Sequence, residues 1–238
     1  MEIYLLLCIV AFGAGFIQGL SGFGSVLLSL PLLALFLDIK TVIPLVALFG
    51  EALTIFLLVQ LRRHWDWRKI YPLFLGSIPG IPVGVVLLAR TDGQLLQIII
   101  GIVLIIYALY GLLFKPVVVT MGKVWAYAFG FTAGFLGGAV SAAGPPVIVY
   151  TSLQSWTKDE IKITLQGFFA ASGIIVVTCQ AVGGLVTGTV LYYFVAGLPL
   201  LLVGTWAGSL LYGRIGESAF RRVMLIVMGL LGLFMISG

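Results

Sequence analysis

Two short glycine-rich breaks interrupt apolar runs that would otherwise read as overlong membrane helices. The first is Gly19-Leu20-Ser21-Gly22-Phe23-Gly24-Ser25, and the second is Gly137-Gly138-Ala139-Val140-Ser141-Ala142-Ala143-Gly144-Pro145-Pro146. Irregular backbone at membrane depth is costly and normally lines a cavity rather than lipid. A matched pair of such breaks in the two halves of a chain points to a transporter's binding site. Each break opens a short apolar segment, 25–37 and 145–155. At 1.5 Å per residue these fall short of a hydrocarbon core about 30 Å thick, so both read as half-helices. Serine is a favoured N-cap and proline a favoured first helical residue. Helix starts present unpaired N–H groups and a partial positive charge, and glycine lets a ligand approach the backbone closely. Two such tips facing each other near the midplane would hold an anion without a buried lysine. The cradle would be Ser21, Gly22, Phe23, Gly24 and Ser25 from the first break, with Ser141, Ala142, Ala143, Gly144 and Pro145 from the second.

Other polar groups lie within apolar runs. Gln18 and Gln166 could donate to a ligand's oxygens or bond across helices; Ser77 and Ser172 are weaker candidates. Glu51 is the one carboxylate deep in an apolar run, Val42 to Leu61. An acid at that depth is a functional candidate by default. A carboxyl that takes up and releases a proton would suit ion coupling; a neutral structural Glu beside Gly50 is the other reading. Gly80/Gly84 and Gly204/Gly208 read as tight helix packing. Arg90 and Arg214 stand at helix ends, where snorkelling to the interface is the simpler role. His64 is the only histidine and sits in the basic, tryptophan-containing loop 62–69. Cys8 and Cys179 lack partner spacing and read as buried free thiols. No metal site or cofactor is indicated, and without an intramembrane base there is no basis for an enzyme.

The elements that must position these residues are membrane helices. Of 238 residues 61% are hydrophobic and 9% charged, and the mean hydropathy is +1.22. Apolar segments are predicted over 3–20, 25–37, 41–61, 70–89, 94–114, 122–140, 145–155, 161–182, 189–212 and 218–236. The net charge of +5 sits in short connectors, where it acts as a topology signal rather than a nucleic-acid footprint. The halves repeat weakly. Ala14-Gly15-Phe16 recurs as Ala133-Gly134-Phe135, Asp38-Ile39-Lys40 as Glu160-Ile161-Lys162, and Gly80-x-x-x-Gly84 before Arg90 as Gly204-x-x-x-Gly208 before Arg214. If each long run at 3–37 and 122–155 crosses once, the basic residues divide almost evenly. If each folds back as a hairpin, only Lys40 and Arg90 remain on one side and the other eleven share the opposite side. That is a strong positive-inside bias. It predicts an all-α polytopic fold of two inverted repeats, 1–115 and 120–238, with about eight full spans plus half-helices. Both termini fall on the non-cytoplasmic side.

These features together resemble the sulfite exporter TauE/SafE family, also called the toluene sulfonate uptake permease family. The likeness covers nearly the whole chain. It rests on Ala14-Gly15-Phe16 with Gly19-x-x-Gly22-x-Gly24 and Pro31, on Trp65-Asp66-Trp67, and on Gly76-x-x-x-Gly80-x-x-x-Gly84 before Arg90. The second half repeats the theme as Ala133-Gly134-Phe135, Gly137-Gly138 and Gly144-Pro145-Pro146, with Gly204-x-x-x-Gly208 before Arg214. Ser141-Ala142-Ala143 departs from the family's glycine-dense form. The resemblance implies export or uptake of sulfite, sulfonates or related organosulfur anions across the bacterial inner membrane. An anion channel, a proton-coupled uptake permease and a cation carrier resting on Glu51 are the other readings. A homo-oligomer is compatible with the sequence.

Overall fold

The computed structural model describes residues 2–60, 66–114, 119, 121–211 and 217–237. Among the described residues ten helices follow one another: α1 Glu2–Ser21, α2 Ser25–Leu33, α3 Ile39–Gln60, α4 Trp67–Arg90, α5 Gly93–Leu113, α6 Lys123–Val140, α7 Gly144–Ser152, α8 Lys158–Val182, α9 Gly188–Leu210 and α10 Glu217–Ser237. No strand occurs among the described residues. Helices α1, α3, α4, α5, α8 and α9 contain segments long and apolar enough to cross a membrane. Loop residues Arg62, Arg63, His64 and Trp65, with Lys115 and Arg214, lie outside the described residues.

Small residues decide which helices meet. In a bilayer, helices gain little by hiding apolar surface from lipid, so close packing through glycine becomes the main source of contact energy. Gly76, Gly80 and Gly84 of α4 pass Gly130, Gly134 and Gly138 of α6. A β-carbon at any of the six would overlap main-chain atoms of the facing helix. Gly15 and Gly19 of α1 meet Gly204 and Gly208 of α9 in the same manner. Both pairs run parallel: Gly76 faces Tyr127 while Gly84 faces Phe135, and Gly15 faces Leu201 while Gly19 faces Thr205. Helices α5 and α10 run antiparallel, with Gly101 against Gly232 and Gly111 against Leu225. Around these pairs, α3 packs against α8 and α9, and α8 packs against α3 and α4.

The two half-helices are shorter than the apolar pattern suggests. α2 and α7 are nine residues each, ending at Leu33 and Ser152. The chain then passes into turns rather than continuing to 37 and 155. Neither helix starts on a serine cap. The N-caps are Gly24 and Ala143, and neither start carries a side-chain capping bond. Asp66 caps α4 and Asp92 caps α5, while Thr157 and Glu160 form a reciprocal capping box on α8. Glu160 also receives Lys69 Nζ at 2.5 Å, and that ammonium lies 4.9 Å from the centre of the Trp156 ring. This contact joins the start of α4 to the start of α8. Cys8 and Cys179 are free thiols, half-buried rather than fully buried.

Candidate functional site

The first break forms because α1 ends in a left-handed glycine. Gly22 has φ of 82° and donates its N–H to Gln18 O at 2.7 Å; Gly24 has φ of 98°. Only glycine adopts such angles without strain. The Ser21 hydroxyl lies 2.7 Å from both Ile17 O and Phe23 O, so its proton serves the main chain of the break itself. Ser25, the first residue of α2, is hydrogen-bonded through its hydroxyl to Gln18 Oε1. Both residues are almost fully buried. Gln166 of α8 is fully buried and donates Nε2 to Gly22 O. One turn earlier on α8, the Lys162 methylenes lie across Gly22, with Cγ 3.0 Å and Cε 3.1 Å from where a β-carbon would stand.

The second break uses a different device. Ser141 ends α6 with φ of 56°, and the N–H groups of Ser141 and Ala142 return to Gly137 O and Leu136 O at 3.0 and 3.2 Å. This is a Schellman-type helix end, where glycine is usual. Serine is held there by two contacts: its Oγ donates to Ile43 O at 2.9 Å and accepts from Gln180 Nε2 at 3.4 Å. The expected Ser141 hydroxyl ligand is therefore engaged by α3 and α8.

Both half-helix starts open on one cavity, which holds about 680 Å³ of empty space including its mouth. Gln18, Phe23, Gly24, Ser25, Glu51, Ser141, Ala142, Ala143 and Gly144 line it. Ser21, Gly22, Pro145 and Gln166 do not; they shape the breaks from behind. The wall is completed chiefly by Thr54 and Gly50 of α3 and by Phe169, Ser172, Gly173 and Val176 of α8. Along α8 the order is Gln166 at the first break, then the cavity residues, then Gln180 at the second. Fourteen residues separate the two glutamines, about 21 Å at 1.5 Å per residue. The two breaks thus contact α8 at two levels while lining one cavity.

The donors are unequal. The first four N–H groups of a helix have no partner within it. At α2 these belong to Gly24, Ser25, Val26 and Leu27. At α7 the corresponding residues are Ala143, Gly144, Pro145 and Pro146, and proline has no N–H. The first break therefore offers twice the main-chain donors of the second. Ser77, the weaker candidate on α4, is buried in the seam with α6 and donates to Phe74 O. Sequence reasoning missed Lys162 and Gly173. Lys162 reads as one more connector cation, and Gly173 as one more small residue in an apolar helix. The available signal was the Ser172-Gly173 pair in the middle of α8.

The model of the sulfite exporter TauE/SafE family matches residues 7–235. A curated protein of Cupriavidus necator, named "Probable sulfite/organosulfonate exporter TauE", is 25% identical over 166 residues, which is 68% of this chain and 64% of that protein. The chain thus spans just under two thirds of the length of the curated relative it matches. No solved structure matches it.

Proposed function

The chain belongs to the sulfite exporter TauE/SafE family, and on that footing we propose that it is a secondary transporter exporting a small organosulfur oxyanion, sulfite or a sulfonate such as sulfoacetate or isethionate. One observation carries the site: two half-helices start without side-chain caps on the wall of a single cavity. Unpaired N–H groups at a helix start favour an anion, and a sulfonate brings three acceptor oxygens to them. The first break, with four donors, is the main cradle, and Ala143 and Gly144 complete it from the other side. Gly22, Ser21, Gln166 and Pro145 hold these starts in shape. The name of the Cupriavidus relative supports sulfur chemistry and export.

On this reading the two halves are inverted repeats, 1–115 and 120–238, with about eight full spans plus two half-helices. The parallel pairs α1/α9 and α4/α6 and the antiparallel pair α5/α10 support this. Exchanging the halves exchanges α1 with α6 and α4 with α9, which turns one parallel pair into the other. The short connections then require α1 and α3 to run the same way, with α2 returning between them. The excess of basic residues on one side supports a cytoplasmic connection between α3 and α4 with both termini on the other side, and the family supports the inner membrane as its location.

The test is binding of sulfite, methanesulfonate, isethionate, sulfoacetate, taurine, sulfate and acetate, read by calorimetry on the purified protein. Sulfite or a sulfonate is expected to bind, and Gly24→Ala to weaken that binding at least tenfold. Equal affinity of Gly24→Ala for the preferred anion would remove the first break from the site.

A further inference from the structure

Glu51 sits on the cavity wall, and neither carboxylate oxygen meets a hydrogen-bond partner among the described residues, although both are buried. The space it occupies is supplied by α8. A β-carbon at Gly173 would overlap Glu51 Oε2, so any larger residue there would evict the acid. Glu51 and Gly173 stand 122 positions apart, the spacing that relates Asp38 to Glu160 and Lys40 to Lys162. The duplicated positions thus meet where α3 crosses α8, one carrying a carboxyl and the other leaving room for it. With a carboxyl on one side only, the crossing is chemically one-sided.

Resting on the anion reading above, we propose that Glu51 is a proton site linked to anion binding, so that the cavity takes its anion and one proton together. A buried carboxylate without a partner is expensive, and an anion brought beside it more so. Protonation removes both costs. It also gives the carboxyl an O–H that can donate to a sulfonate oxygen. No other wall residue competes for that role. The cavity is built by α1, α2, α3, α6, α7 and α8, and Glu51 is the one titratable side chain among its described lining residues. The remaining polar side chains there are Gln18, Ser25, Thr54, Ser141 and Ser172. Of the other elements on α3, α9 meets it through Phe194 and Gly197 at Phe49, and α5 through Gly93 at Ile39, none of them ionisable. Lys162, the charged residue of α8 near the first break, lies at Gly22 behind the wall. A monoanion that crosses with this proton carries no net charge, so its flux does not respond to membrane potential.

The probe is methanesulfonate, which stays a monoanion across the working range, so any proton taken up belongs to the protein. Calorimetry of the full chain in buffers of different ionisation enthalpy counts that proton. About one is expected per anion bound on the alkaline side of the titration, with affinity falling about tenfold per pH unit there. Glu51→Gln is expected to bind with no pH slope and no proton uptake. In proteoliposomes its flux should follow an imposed potassium diffusion potential, which the wild type ignores. Wild-type binding without proton uptake overturns the proposal, as does a pH slope retained by Glu51→Gln or replaced by dependence on sodium. Should the variant fail to fold, the wild-type proton count decides alone. If neither protein binds methanesulfonate or sulfite at any pH, the anion reading falls and this inference with it.

Discussion

Ser141 occupies a left-handed conformation that an L-residue adopts at a cost of about 1–2 kcal/mol. Its hydroxyl offsets that cost by bonding Ile43 O and receiving Gln180 Nε2. Ser141→Ala keeps the strained angle and loses both contacts, leaving Gln180 with less to bond. It is expected to destabilise the protein by about 1–2 kcal/mol, seen as a lower melting temperature in detergent. Ser141→Gly loses the same contacts but relieves the angle, and should melt above Ser141→Ala. Reversed order would mean that the left-handed angle carries no strain. Gly22 is the position that matches Ser141 at the spacing of Ala14 and Ala133. There glycine relieves the angle directly, and Lys162 and Gln166 cover the position. The two breaks thus solve one geometric problem by different chemistry.

At the scale of elements, glycine has opposite consequences at neighbouring positions of α1. Gly15 touches the main chain of α9, whereas a β-carbon at Gly13 would meet nothing within 4 Å. Gly13→Ala is expected to be neutral or to stabilise by up to about 1 kcal/mol, because alanine is the better helix former. Gly15→Ala should separate α1 from α9 and cost about 2 kcal/mol or more, since the backbones cannot both stay in place. Gly134→Ala should do the same to the α4/α6 seam. Thermal melts of the three variants in one detergent check this, and equal melts would refute the glycine seams. These seams were legible in part: the four-residue spacing of Gly76, Gly80 and Gly84 marks a packing stripe. Which helix receives the stripe was not, because spacing within one helix carries no address. The half-helices were legible as short segments, but the caps were misread: serine was expected where Gly24 and Ala143 stand. The serines instead bond the break's own main chain, Gln18 and α3, partners distant in sequence or invisible to a local pattern.

For the whole molecule, the proposed hairpin topology predicts which positions share a side of the membrane. In a background with Cys8 and Cys179 replaced, cysteines introduced at Glu2, Asp92 and Ser237 are expected to react with an impermeant maleimide added outside intact cells. Cysteines at Asp66 and Thr157 should react only after the membrane is opened. Labelling of Asp92 and Asp66 from the same side would contradict the spans between them, and labelling of Glu2 only from inside would invert the orientation. In the expected orientation the Lys69–Glu160 pair lies at the cytoplasmic face. Exposed pairs of this kind contribute about 0–1 kcal/mol, so Glu160→Gln should change stability little beyond its share of the capping box.

The sequence by itself determined the solvent, the helices, the two breaks and the family. Hydropathy, glycine and proline act over a few residues, and basic connectors report sidedness one loop at a time, so all are written locally. Tertiary structure alone decided that α4 pairs with α6 and α1 with α9, that both half-helix starts share a cavity, and that Glu51 rests in the space left by Gly173. Those facts depend on backbones approaching within a side chain's width across more than a hundred residues of chain. No window along the sequence measures that distance.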